Sequence, residues 1–456
     1  MKINKLLAGV GVCLLVAGGT YLIIRSVTGK DNQDEEKPSS VSSSISSEAE
    51  GSSSEIPDSI QTSDTSVDET TVSSLPETLP SEEGVDYIDA VFLGVNDYGA
   101  DQTKKENASS FYYRFRVNGA EQLLAIDNSS LDENGKPAYP IQNKLKEGYA
   151  YTLSVKDNII IDVRELPCED EISYHPVVSG NPGERTVMNF IKTSLMPVGT
   201  SLYVFGGGWD WQDTGSAIQA RTLGVSDDWV RFFNQQDENY TFRDVDNDPS
   251  KRDPKTSYYP FGGFNEYYYA GLDCSGFVGW VTYNTFETEN GRPGYVCSST
   301  KMAKRMADEY GWGAFSKEAA PTAKNKLLPG DVVSMKGHVW ISLGTCADGS
   351  VVIVHSTNGY VSRKGQPGGG VAIGAIGRSK ECEAYKLADY YMSTFYPEWY
   401  RRYSVSLSDP DKYYNMEADT AGRFTWDTSS PQGLSDDLGA QDMTPEQILK
   451  YCFGEK

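Results

Sequence analysis

Three histidines, His175, His338 and His355, are all that a chain of 456 residues offers for imidazole chemistry, so a site needing a base near neutral pH must draw on them. Seven cysteines stand at positions 13, 168, 274, 297, 346, 382 and 452 with no C-x-x-C pair. That pattern excludes a zinc ribbon and is too sparse for a disulfide-built scaffold. A lone cysteine is most often a small buried apolar residue, and Cys274 is set apart by its surroundings. In Gly271-Leu272-Asp273-Cys274-Ser275-Gly276-Phe277-Val278-Gly279-Trp280-Val281 a turn runs into a helix whose apolar face holds Phe277, Val278 and Val281. Cys274 then sits at the helix N-terminus, where unpaired N–H groups and the positive dipole end favour a thiolate. A nearby imidazolium lowers the thiol pKa further, and the same N–H groups can receive a developing oxyanion.

The base must be carried by strands. Leu327-Leu328-Pro329-Gly330-Asp331-Val332-Val333 reads as a turn entering a strand, Gly337-His338-Val339-Trp340-Ile341-Ser342-Leu343-Gly344 as a second, and Val351-Val352-Ile353-Val354-His355-Ser356 as a third. His338 and His355 thus lie on adjacent strands of an antiparallel hairpin. A loop centred between Cys346 and Ala347 sets them directly opposite; a tight turn on Asp348-Gly349 keeps them on one face but slips them by roughly 13 Å at about 3.3 Å per residue. Sequence leaves both registers open, and the chemistry of a base oriented by a second polar group prefers the first. His175, before Pro176 in a polar connector, reads as structural or exposed. Cys168, Cys297, Cys346, Cys382 and Cys452 read as unpaired thiols or as one or two disulfides.

Taken in order, Tyr203-Val204-Phe205-Gly206-Gly207, Asp273-Cys274-Ser275-Gly276-Phe277-Val278, Pro329-Gly330-Asp331, His338-Val339 and Val354-His355 resemble the motifs of NlpC/P60 cell-wall peptidases over about residues 183–403. The resemblance implies a papain-like α+β fold, a Cys-bearing helix packed on an antiparallel sheet that carries the histidines. It implies Cys274 as nucleophile, His338 as general base and then acid, and His355 as the orienting third member. Tyr203 would line the site near the oxyanion, with Asp273 and Ser275 in the substrate subsite. It also implies hydrolysis of peptidoglycan stem peptides, often between D-glutamate and the following diamino acid, with no metal or organic cofactor. The family's Tyr motif usually lies close before its Cys, whereas 71 residues separate Tyr203 from Cys274, so 209–270 reads as an insertion. Its aromatic residues suit sugar stacking, a lid, or a small core of its own.

Outside that region, residues 6–24 carry no charge and at 1.5 Å per residue just span a bilayer core of about 30 Å. They read as an uncleaved membrane anchor (1–30) in preference to a signal peptide, with Cys13 as an apolar residue of the span. Residues 31–85 hold 16 Ser, 5 Thr, 14 acids and one Lys, and account for −13 of the formal charge of −23. Such a segment cannot bury enough apolar surface to fold; as a coil its reach is roughly 40 Å. Residues 86–166 show short β-like runs punctuated by Asn118-Gly119, Asn134-Gly135 and Glu147-Gly148, and read as a small all-β barrel or sandwich, a spacer or binding module. A helix is expected over Val187, Phe190, Ile191 and Leu195. The peptidase domain is expected over 180–405, and the acidic tail 406–456 either packs a last helix over 444–453 or hangs loose. The acidic balance argues against nucleic acid as a partner. The reading is a single-pass membrane protein with an extracellular cysteine endopeptidase acting on stem peptides. Its rivals are an N-acetylmuramoyl-L-alanine amidase using the same Cys-His site and a non-catalytic wall-binding or assembly protein.

Overall fold

Strand β1 (Asp86–Val95) opens a five-stranded barrel completed by β2 (Tyr112–Val117), β3 (Ala120–Ile126), β4 (Ala150–Lys156) and β5 (Ile159–Glu165). The computed structural model describes residues 83–95, 112–127, 129–131, 135, 140–167, 174–211, 214–238, 240, 267–362 and 367–455. The chain divides into a unit Met1–Glu77, which lies outside these residues, and a compact unit Thr78–Lys456. Asn118 and Gly119 both take positive φ, 49° and 79°, as the two-residue turn between β2 and β3 demands. The barrel closes in the order β1-β2-β3-β5-β4, with β3 and β5 parallel. Phe92, Phe115, Tyr151, Leu153 and Ile160 fill its interior.

Next comes α1 (Val187–Leu195), capped by Thr186, whose side chain accepts from Asn189 N–H. Beyond it α2 (Asp227–Gln235) lies in the insertion, and α3 (Cys274–Phe286) has every residue buried, the signature of a helix enclosed on all sides. The remaining elements are α4 (Met302–Asp308), β6 (Gly313–Ser316), β7 (Val332–Met335), β8 (His338–Thr345), β9 (Val351–Val361), β10 (Pro367–Ile376), α5 (Glu383–Phe395), α6 (Pro397–Arg402), β11 (Leu407–Ser408), α7 (Pro410–Tyr413), β12 (Gly422–Trp426) and α8 (Pro445–Phe453). Seven strands form one sheet in the order β11-β10-β9-β8-β7-β12-β6. Period-two alternation splits its side chains between two layers. Val339, Ile341, Leu343, Val352 and Val354 join the core that contains α3. Val333, Trp340, Val351, Ile353 and Ile376 form a second cluster, covered by Tyr413, Tyr414 and Met416.

The described architecture is therefore mixed α+β with two sheets and eight helices. Residues 406–456, read from sequence as a tail, supply a strand inserted between β7 and β6 together with α8, whose N-cap Thr444 forms a reciprocal capping box with Gln447. Of the expected transmembrane helix the described residues show none: no helix among them is long and apolar enough to cross a membrane. Residues 6–24 and the acidic segment 31–82 lie outside the described residues, as do Cys13, Cys168 and insertion residues 241–266.

Candidate active site

Asp273 decides where α3 begins. Its extended backbone ends the turn, and its Oδ1 accepts from Gly276 N–H at 2.6 Å and from Ser275 Oγ at 2.9 Å. Trp209 Nε1 in turn donates to Ser275 Oγ at 3.1 Å. The segment bearing Tyr203 runs alongside: Leu272 N–H donates to Leu202 O at 3.2 Å and Asp273 N–H to Gly207 O at 2.9 Å. This backbone approach explains the paired glycine motifs, because a Cβ on Gly276 would lie 2.0 Å from Gly207 O. Cys274 is thereby fixed in the first turn of α3, 5 % exposed, and its sulfur is met by the N–H groups of Val339, Ser275 and Cys274 itself. The contact with Val339 brings the thiol to the backbone beside His338.

The two histidines are brought together in a register between the two that sequence left open. The β8–β9 loop closes on Cys346 and Ser350, with Cys346 N–H donating to Ser350 O at 2.8 Å, and the register shifts between Ser342 and Gly344, leaving Leu343 as an extra residue. Ile341 then faces Val354, so His338 and His355 are diagonal neighbours, about 7 Å apart along the strands at roughly 3.3 Å per residue. Their rings bridge that offset. His338 Nε2 and His355 Nδ1 are 3.0 Å apart, and His355 Nε2 is 3.2 Å from Ser406 Oγ. One arrangement of protons suits a base: His355 Nε2–H donates to Ser406, His338 Nε2–H donates to His355 Nδ1, and Nδ1 of His338 is left with a lone pair for the thiol.

Electrostatics set the resting state. Burial pushes the Cys274 thiol well above its ordinary range, Asp273 acts in the same direction, and the three N–H groups oppose them. Burial lowers His338 to about 4, and burial together with the neighbouring His338 holds His355 well below the usual range. Burial thus works against both charged forms, the Cys274 thiolate and the His338 imidazolium, and against the helix N-terminus that favours the thiolate. Tyr413 contributes to this enclosure, its ring edge-on to His338 at 5.5 Å and to His355 at 6.2 Å between centroids.

Of the residues singled out from sequence, Cys274, His338 and His355 converge here. Asp273 and Ser275 also lie here, but their hydrogen-bonding atoms hold the start of α3. Tyr203, 7 % exposed, is placed on the adjoining segment, its carbonyl accepting from Tyr240 Oη at 2.6 Å. His175 is exposed and takes no part. Sequence reasoning missed Ser406, Tyr413 and Trp209. The first two lie in the presumed tail without a motif; Trp209 directly follows the Gly206-Gly207-Gly208 run, a signal that was present. The described cysteines, Cys274, Cys297, Cys346, Cys382 and Cys452, are free thiols. One group of potential metal ligands exists among the described residues, Cys346, Asp348 and Glu383, whose donor atoms lie within 4.8 Å of one another. Its carboxylates already serve the chain: Asp348 Oδ2 accepts from Glu383 N–H at 2.8 Å and Glu383 Oε2 from Ala347 N–H at 2.9 Å. Compared with protein-family models, curated proteins and solved structures, the chain finds no match.

Proposed function

We propose that this chain is a cysteine peptidase of the NlpC/P60 kind, papain-like in fold, that cleaves peptidoglycan stem peptides outside the cytoplasm. The observation that carries the reading is the placing of the Cys274 thiol, at the N-terminus of α3, on the N–H of Val339, the residue after His338, whose Nε2 lies 3.0 Å from His355 Nδ1. His338 Nδ1 takes the thiol proton as sulfur attacks the scissile carbonyl, and the N–H groups at the start of α3 receive the charge on its oxygen. The imidazolium then protonates the leaving amine, and water releases the acyl group from sulfur by the reverse sequence. The ordered motifs support the substrate class and the bond after D-glutamate, and Tyr203 would line the carbonyl subsite.

The test is mass spectrometry of muropeptides incubated with the purified chain and with its Cys274→Ala variant. New D-glutamate carboxyl ends, absent with the variant, are expected. Intact stem peptides freed from muramic acid would make the chain an amidase, and unchanged muropeptides would leave it a wall-binding protein.

A further inference from the structure

His355 is fully buried, 0 % exposed, so each of its ring nitrogens needs a partner inside the protein. Nδ1 has His338, and Ser406 Oγ stands at 3.2 Å from Nε2. The place for that hydroxyl is built by the neighbouring strand. Gly374 of β10 lies across from Ile353, on the face His355 shares, and a Cβ there would come within 2.4 Å of Ser406 Oγ and 3.2 Å of His355 Nε2. Any larger residue would expel one of them. The Ser406 backbone is pinned as well, because its carbonyl accepts from Ala375 N–H at 3.1 Å just before β11 pairs with β10 through Ala375 and Leu407.

We propose that Ser406 is a positioning residue, the fourth member of a relay Cys274–His338–His355–Ser406, which fixes the His355 ring so that its Nδ1 accepts from His338 and His338 keeps Nδ1 toward the thiol. This rests on the peptidase reading above. The hydroxyl suits the task because it can accept from Nε2–H without placing a second buried charge beside the pair. Without it, Nε2–H would lack this acceptor, and the reversed arrangement, His355 Nδ1–H donating to His338, would gain. That arrangement puts a proton on the wrong nitrogen of His338.

The scarcity of histidine makes the test direct. In full-length protein labelled with ¹⁵N-histidine, His175→Gln identifies one of three rings, and long-range ¹H–¹⁵N correlation reads the tautomers of the other two. The wild type should show Nε2–H forms for both His338 and His355. Ser406→Ala should convert them to mixtures and lower kcat on stem peptides at least tenfold with KM little changed, and Ser406→Thr should restore both. Should Ser406→Ala fail to give a cooperative melt, Ser406→Cys, a weaker hydrogen-bonding partner, should show the same changes in smaller measure. Tautomers and kcat unmoved by these substitutions would overturn the proposal. A Ser406-dependent tautomer in a protein that hydrolyses nothing would instead overturn the peptidase reading and leave the positioning role standing.

Discussion

At Cys274 opposing forces act on one proton, and burial prevails over the N–H groups of the helix start. The thiol of the resting protein should therefore react slowly: at pH 7 iodoacetamide should modify Cys274 at least tenfold more slowly than a free thiol, with the rate climbing above the ordinary thiol range. Rapid alkylation at pH 6 would show the thiolate to be the resting form. Turnover should vanish in Cys274→Ala and His338→Ala, since bond formation and proton transfer fail respectively, whereas His355→Ala should keep a residue of activity because it orients and does not exchange the proton. The histidines also leave a mark on stability. Both titrate lower in the folded than in the unfolded chain, so the unfolded chain binds more protons once the pH drops below about 6.5; their contribution is full above that pH and is lost as the pH falls through about 4. Buried Asp273 and Asp331, raised to about 6 and about 7, act with the opposite sign in the same window. The double variant His338→Gln/His355→Gln isolates the histidine part: between pH 7 and pH 4.5 its melting temperature should fall less than that of the wild type. An equal or larger fall would contradict the assigned directions.

Among the elements, strand register and missing Cβ atoms place these groups. Gly374→Ala should overpack the His355–Ser406 contact at a cost of about 1–3 kcal/mol while reducing hydrolysis at least tenfold, a disproportion that denaturant unfolding and kcat together would reveal. The buried pair of Arg423 Nε and Asp331 Oδ2, 2.8 Å apart, ties β12 to the turn before β7. Arg423→Leu leaves the carboxylate uncompensated and should cost about 3–5 kcal/mol, part of which Arg423→Leu/Asp331→Leu should recover. Little of this was legible in the sequence. The turn before Cys274, the helix after it and the strands bearing His338 and His355 follow local rules, since capping, helical spacing and period-two alternation are written within a dozen residues. The register escaped because it depends on a single extra residue, Leu343, that no local pattern marks. Ser406 escaped because its partner His355 lies 51 residues earlier, a pairing that only the β9–β10–β11 order creates. Asp273, read from its motif as a substrate residue, is the N-cap of α3, and Ser275 Oγ donates to it.

Across the molecule, the barrel and the larger sheet belong to one compact unit joined by polar contacts of low exposure. Asp228 of α2 accepts from Tyr149 Oη at 2.8 Å and Lys146 Nζ at 3.1 Å, and Tyr268 Oη donates to Asn143 O at 2.8 Å. The insertion is thus tied to the barrel through Asp228 and Tyr268. The C-terminal segment is equally integral. β12 fills the place between β7 and β6; Trp426 donates from Nε1 to Gly330 O at 2.8 Å and packs edge-on to Phe190 at 5.2 Å; Ile448 and Leu449 of α8 are fully buried. A chain ending at residue 405 would open the β7 edge, uncover large apolar side chains each stabilising by roughly 1.5–3 kcal/mol when buried, strip Asp331 of Arg423, and remove both Ser406 and Tyr413 from the histidines. Those losses together exceed the 5–15 kcal/mol that holds a typical domain folded, so the truncated chain should lack a cooperative thermal transition in the larger domain and should hydrolyse nothing. Calorimetry of the two chains side by side decides the matter: a truncated protein that melts as sharply and as late as the full one would mean that residues 406–456 are the dispensable tail their composition suggests.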